Sequence, residues 1–106
     1  MVFQIPRAFK IRGLRWRVFR VGGAPKKYRG KFAEGDLGVC IYESRVILLA
    51  DHLEGSKLRE TPLHEVLHAC FGKDDLLGPR LEEHAVELLD GPLLEVLGQL
   101  DFSPPT

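Results

Sequence analysis

The chain has little cysteine and no long apolar segment. Its two cysteines, Cys40 and Cys70, are too few for a disulfide framework among 106 residues, which is typical of a reducing compartment. No apolar run approaches the roughly 20 residues that cross a bilayer. The first ten residues, MVFQIPRAFK, also lack the apolar core of a signal peptide. We therefore expect residence in the cytoplasm and no membrane partner.

Acidic residues are missing from the first 33 positions, which contain ten lysines and arginines and none of the 15 acids. Such segregation is typical of nucleic-acid binding, and equally of a basic sheet face beside an acidic helical half. The basic residues alternate with Phe9, Ile11, Trp16 and Val18, which favours the wet face of a strand. We expect association with DNA or RNA to be weak and non-specific at most.

Length and composition indicate one globular domain, since 106 residues with 44% hydrophobic and 28% charged side chains can bury a single core. Within residues 1–50 the pattern is that of strands and turns. Residues 9–21 alternate like a half-buried strand, with Gly13 at a bulge or bend. Residues 38–50 predict two short strands around a turn at 42–45, of which the second, RVILLA, is apolar throughout and therefore buried.

From residue 56 to residue 100 the pattern changes to the helical period. A first helix is predicted over about 57–71, ended by Gly72, with either Ser56 or Thr61 before Pro62 as its N-cap. A second helix is predicted from Pro79 to Asp90, stopped by the Gly-Pro pair at 91 and 92, and Pro92 can open a short third helix. The fold class is therefore α+β, with a small antiparallel sheet of about three strands packed on two or three helices.

The sequence TPLHEVLHAC, residues 61–70, carries the chemistry. His64 and His68 are one helical turn apart, so both imidazoles can reach one Zn²⁺ ion. Glu65 lies one step round the helix, beside the metal, where it can accept a proton from a zinc-bound water. The pair lies at the edge of the apolar arc of its helix, where side chains that line a cleft belong.

A zinc site needs a third ligand, and GPRLEEHAVELLDG supplies a candidate on the next helix. Glu82 falls inside the predicted inward arc, which is formed by Leu81, Ala85, Val86, Leu88 and Leu89. A glutamate on an apolar helix face is costly unless a cation neutralises it. Glu83 falls outside that arc, near Glu87 and Asp90. We therefore predict His64, His68 and Glu82 as ligands, with Glu83 as the alternative third ligand.

These two segments, HEVLHAC and LEEHAVELL, resemble the gluzincin group of zinc metallopeptidases, and most of all the very short members encoded by phages and prophages. The resemblance covers about residues 36–100 and implies a minimal zincin-like fold. It implies that His64, His68 and one glutamate of the 82–83 pair bind zinc, and that Glu65 is the general base. Larger gluzincins support a histidine with an acid four residues after the glutamate ligand. Here Glu82 is followed by Val86 at that position and Glu83 by Glu87.

The oxyanion-stabilising histidine or tyrosine of larger relatives has no match, which leaves Tyr42, His52 and His84 as the available groups. We predict a zinc metallopeptidase that acts on a protein or peptide. One alternative is a structural zinc in a small domain that binds a partner or nucleic acid through its basic N-terminal half. Another is a peptidase that cuts a single partner and ignores generic substrates.

Overall fold

A four-stranded sheet forms the centre of the chain in a computed structural model, which describes residues 5–72 and 78–99. The strands are β1 (Ala8–Ile11), β2 (Leu14–Arg20), β3 (Gly38–Ile41) and β4 (Val46–Leu49), in the order β1-β2-β4-β3. The α+β class is confirmed. The sheet differs from the prediction in two respects, since it has four strands and its central pair, β2 and β4, is parallel. Predicted structure at residues 1–4, 73–77 and 100–106 lies outside the described residues.

The predicted strand over residues 9–21 is a hairpin. Arg12 and Gly13 both have positive φ angles, of 51° and 79°, as the central residues of a tight two-residue turn require. The turn brings Phe9 opposite Trp16, and their rings stack with centroids 6.2 Å apart. The apolar positions change parity at Gly13 because the chain reverses there, so the interpretation as a bulge or bend was wrong.

The apolar strand β4 is buried along its whole length, as predicted. Alternate side chains enter two core clusters on opposite faces of the sheet. Ile47 and Leu49 pack in the cluster that includes Trp16 and Ala69. Val46 and Leu48 pack on the other face, in a cluster closed by Ala24 and Tyr28. A strand covered on both faces has no wet side, which explains why RVILLA does not alternate.

The segment between β2 and β3 covers the second face of the sheet. It contains a short 3₁₀ turn, Val21–Gly23, and the four-residue helix α1, Lys26–Arg29. Tyr28 of α1 is 6% exposed and stacks on Phe19 with ring centroids 6.3 Å apart. The Tyr28 ring therefore covers apolar sheet surface, while the basic side chains on either side of it stay in water.

Helix α2, Ser56–Phe71, packs on the first face of the sheet. It ends as predicted at Gly72, whose φ of 67° and hydrogen bond to the His68 carbonyl oxygen, at 3.1 Å, terminate the helix. Its N-cap is Gly55, with a φ of 58° and no side-chain cap, so neither Ser56 nor Thr61 has that role. Pro62 lies inside the helix.

Helix α3 is a single helix, Gly78–Gln99, and the predicted break at the Gly-Pro pair is wrong. Pro92 has no N–H to donate to the Leu88 carbonyl. Leu88 is 62% exposed, so water can take that place. The Gly91 N–H also has a partner, because the Asp90 carboxylate accepts from it at 2.6 Å. A proline on the wet side of a helix therefore does not end it.

The buried face of α3 differs from the predicted arc. Glu82 and Val86 are buried, as predicted, with exposures of 7% and 0%. Leu81, Leu88 and Leu89, which we expected to point inward, are exposed. Helix α3 is therefore turned about its own axis, so that its acidic face contacts α2 and its leucine-rich face does not.

Candidate metal centre

His64 and His68 lie side by side on α2, facing α3. Their ring centroids are 5.0 Å apart and the rings meet edge to face. Both side chains are partly buried, with exposures of 27% for His64 and 13% for His68. This is the geometry that the i, i+4 spacing predicts for two imidazoles that share one ion.

Glu83 of α3 approaches both rings. One carboxylate oxygen, Oε1, lies 3.1 Å from His64 Nε2, and the other, Oε2, lies 2.9 Å from His68 Nε2. The donor atoms of these three residues lie within 4.8 Å of one another. Two imidazole nitrogens and one carboxylate are a donor set that suits zinc. A cation would lie between groups that now contact each other directly.

Glu82, which we predicted as the third ligand, lies on the other side of His68. Its Oε1 is 2.7 Å from His68 Nδ1 and accepts a hydrogen bond from the Tyr42 hydroxyl. The prediction correctly placed Glu82 on the buried face, but its charge is satisfied by His68 and Tyr42. The structure therefore brings the alternative residue, Glu83, to the two Nε2 atoms. The identity of the third ligand stays a prediction, and this geometry favours Glu83.

Asp90 gives His64 an equivalent outer partner. Its Oδ2 lies 3.1 Å from His64 Nδ1, so each histidine has one carboxylate at Nδ1 and shares Glu83 at Nε2. Carboxylates at the outer nitrogen fix the tautomer and orientation of metal-binding histidines. Asp90 was not among the site residues predicted from the sequence. The signal was available, because Glu83 and Asp90 are seven residues apart and therefore lie on one helix face.

Glu65, the predicted general base, is buried, with 6% exposure. It packs against Gly38 at the start of the edge strand β3. A Cβ atom at Gly38 would lie only 2.9 Å from Glu65 Cγ and 3.0 Å from Thr61 Cγ2. Burial raises the pKa of Glu65, against the opposing effect of His68 and His64 nearby. The absence of a side chain at residue 38 therefore makes room for the Glu65 carboxylate.

The electrostatics of the site follow from its four carboxylates. Burial lowers the pKa of His64, but the hydrogen bond with Asp90 and the charges of Glu65 and Glu83 outweigh it, and the net shift is upward. Burial and the hydrogen bond to Glu82 raise the pKa of Tyr42, so its hydroxyl stays protonated and remains a donor. The raised pKa of His64 means that positive charge, either a proton or a metal cation, is favoured beside its carboxylate partners.

A hollow of about 280 Å³ opens beside His64, between the start of β3 and α2. Its lining includes Leu37, Gly38, Thr61, His64, Glu65 and Asp90. A group in this hollow would therefore reach Glu65, the predicted proton acceptor, and His64, a predicted metal ligand, from the same side.

The other predicted candidates lie elsewhere. His52 is exposed in the turn after β4, and His84 and Glu87 are exposed on α3. Of the three groups considered for oxyanion stabilisation, Tyr42 is the one that contacts the centre, through its hydrogen bond to Glu82 and 3.5 Å from His68 Nδ1. That position supports Glu82 and His68 and does not assign Tyr42 to the oxyanion.

No protein-family model, curated protein or solved structure matches this chain. The resemblance to short gluzincins therefore depends on the two motifs alone.

Across residues 5–72 and 78–99, neither long helix combines the length and apolarity needed to cross a membrane. Cys40 and Cys70 are both free and partly buried.

Proposed function

We propose that this protein is a zinc-dependent peptidase whose metal is held by His64, His68 and Glu83. The observation that carries the proposal is the convergence of two Nε2 atoms on one carboxylate, at 3.1 and 2.9 Å, with Glu65 buried beside them. The outer nitrogens are held by Asp90 and Glu82. This arrangement gives a complete inner ligand set together with its outer supports.

The donor set fits zinc on chemical grounds. Two histidines and one glutamate are the ligands of several catalytic zinc sites, and three protein ligands leave one coordination position open. When bound, the ion would lower the pKa of a coordinated water to about 7 and polarise a carbonyl group. Both Nε2 atoms must be unprotonated to bind it, so metal binding is expected to release protons from the centre.

The chain itself supplies proton transfer and orientation. In this proposal Glu65 accepts the proton of the attacking water and delivers it to the leaving amine. Its buried position against Gly38 keeps the carboxylate on the side of the hollow. With a metal held by the two Nε2 atoms, Asp90 and Glu82 would accept hydrogen bonds from the two Nδ1–H groups and so hold the orientation of each ring. Residence in the cytoplasm is part of the proposal and is supported by the two free thiols.

The test combines metal content with cleavage of a peptide library. Protein purified without added metal should contain one zinc per chain, and the loaded protein should cleave peptides in a proteome-derived mixture analysed by mass spectrometry. Glu65→Gln should keep the zinc and the thermal stability and reduce cleavage by about 10²- to 10⁴-fold, because it removes a proton acceptor. Glu54→Gln, at an exposed acid outside the centre, is the matched control and should cleave normally.

Two outcomes would contradict the proposal in different ways. Loss of zinc from Glu65→Gln would mean that Glu65 is itself a ligand. Stoichiometric zinc without cleavage of any library peptide would favour the structural-zinc alternative, or a peptidase that acts on one partner only. A partner-specific enzyme would still be distinguished from a structural site by the open coordination position, which a hydroxamate inhibitor should occupy in the first case only.

A further inference from the structure

A second cavity lies at the opposite edge of the sheet, where β2 extends past the first residue of β1. Strand pairing stops at Ala8 opposite Arg17, and one further hydrogen bond joins the Val18 N–H to the Arg7 carbonyl oxygen at 2.9 Å. Beyond it β2 continues to Arg20. The space left beside its last residues has a volume of about 570 Å³, which is within the range of small-ligand sites.

Four arginines line this cavity: Arg7, Arg15, Arg17 and Arg20. Across residues 5–72 and 78–99, none of them forms an ion pair with a carboxylate. The acid that follows β4, Asp51, accepts instead from the Gly22 N–H at 3.1 Å. The cavity is therefore a concentration of positive charge without a counter-charge from the described chain.

Two of the arginines are held in place by the chain. Arg17 Nη2 donates to the Tyr28 hydroxyl at 2.9 Å, and its guanidinium carbon lies 5.5 Å from the centre of the Phe19 ring. Arg20 Nη1 donates to the Ala50 carbonyl oxygen at 2.7 Å. Each guanidinium has five N–H donors, so most of them remain for a ligand. These contacts fix the direction of two cationic groups before any ligand arrives.

The other two arginines are free to move onto a ligand. Arg7 and Arg15 are exposed, and within the described part of the chain neither side chain has a hydrogen-bond partner. The cavity also has an apolar lining from Val18 and Phe19, which are both partly exposed. An anionic group with an attached flat apolar group would meet both kinds of surface.

We propose that this cavity binds an organic phosphate of nucleotide size, with the phosphate among the arginines and the base against the apolar lining. A phosphate monoester carries about two negative charges and three acceptor oxygens, so it can bind several guanidiniums at once. A single carboxylate would satisfy fewer of them. The phosphate could belong to a free nucleotide or to the end of a nucleic-acid strand. The inference is independent of the zinc centre.

The test is isothermal titration of the full chain with adenosine 5′-monophosphate, adenosine and inorganic phosphate. Adenosine 5′-monophosphate should bind at least about tenfold more tightly than either fragment, because only it contacts both surfaces. Arg7→Gln with Arg15→Gln should weaken its binding at least about tenfold. The matched control is Arg12→Gln with Arg59→Gln, which removes the same charge at two exposed arginines outside the cavity and should change binding less than about twofold.

A ten-nucleotide strand with and without a 5′-phosphate distinguishes the two sources. Tighter binding of the phosphorylated strand than of the free nucleotide would assign the strand end, and the reverse order would assign the free nucleotide. Equal affinity for adenosine and adenosine 5′-monophosphate would overturn the proposal. It would also be overturned if the two double variants lost the same affinity, since that would mean a diffuse effect of net charge.

Discussion

Charged side chains are paired with each other at one edge of this small sheet and lack such partners at the other. At the β3 edge, each imidazole nitrogen of His64 and His68 faces a carboxylate, and the buried Glu82 also has a tyrosine donor. At the β1 edge, four arginines line a cavity with no carboxylate of the described chain paired to them. The first region is satisfied internally, and the second leaves its charge to water or to a ligand.

The loss of stability caused by a substitution should therefore differ between the two edges. A buried charge that loses its partner has nothing to replace it, because water reaches it poorly. Removing an exposed arginine that lies among other arginines should cost little stability, since it had no partner and repelled its neighbours. The same kind of change, removal of one charged group, is therefore expected to have opposite consequences at the two edges of the sheet.

The largest effect is expected from His68→Ala. This change leaves Glu82 buried with Tyr42 as its remaining contact and removes a proposed zinc ligand in the same step. The metal-free variant should lose about 3 kcal/mol of unfolding free energy in urea, as expected when one partner of a buried pair is removed, and it should no longer retain zinc. His84→Ala, at an exposed histidine on α3, is the control and should change neither quantity. If stability and zinc content are unchanged in His68→Ala, then the contact between His68 and Glu82 does not stabilise the fold and His68 is not a zinc ligand.

The two adjacent glutamates provide the next test. Glu83→Gln removes a proposed ligand and should weaken zinc binding more than a hundredfold in a chelator competition. Glu82→Gln removes an outer support and should weaken it by about 10- to 100-fold. A larger loss in Glu82→Gln than in Glu83→Gln would restore Glu82, the residue that the helical arc predicts, as the third ligand.

Gly38→Ala tests whether Glu65 needs the space that glycine leaves. The new Cβ would lie 2.9 Å from Glu65 Cγ, so the carboxylate must shift. We expect a loss of about 1–3 kcal/mol in stability and at least a tenfold loss of cleavage, with zinc retained. At Gly30 a Cβ meets no atom within 4 Å, and Gly30→Ala should leave both properties unchanged. Full activity in Gly38→Ala would show that the space at Gly38 of β3 is not needed to position Glu65.

The smallest effect is expected at the arginine cavity. Arg7→Gln with Arg15→Gln should change the unfolding free energy by no more than about 0.5 kcal/mol. Any gain in unfolding free energy should be smaller in high salt, because salt screens the repulsion among the four arginines. Thermal denaturation in low and high salt measures this directly. A destabilisation of about 2 kcal/mol or more would mean that these side chains have structural partners, and the contrast between the two edges would not hold.

Several elements followed from the sequence because their causes are local. The continuous apolar run RVILLA predicted a buried strand, and β4 is buried. Gly72 predicted the end of α2, where its positive φ is observed. The interpretation was wrong where solvent exposure decides, as at Pro92 in α3, because the sequence does not show that both Leu88 and Pro92 are exposed in the folded chain.

Within α2, the sequence alone places two histidines one turn apart with a glutamate between them, since the period of one helix fixes which of its side chains share a face. Which acids meet the histidines depends on how α3 packs against α2. The rotation and the axial offset of α3 against α2 bring Glu83 to both Nε2 atoms and send Glu82 and Asp90 to the two Nδ1 atoms. Helical periodicity cannot supply that choice, because it relates residues within one helix and leaves the position of a second helix to the packing between them.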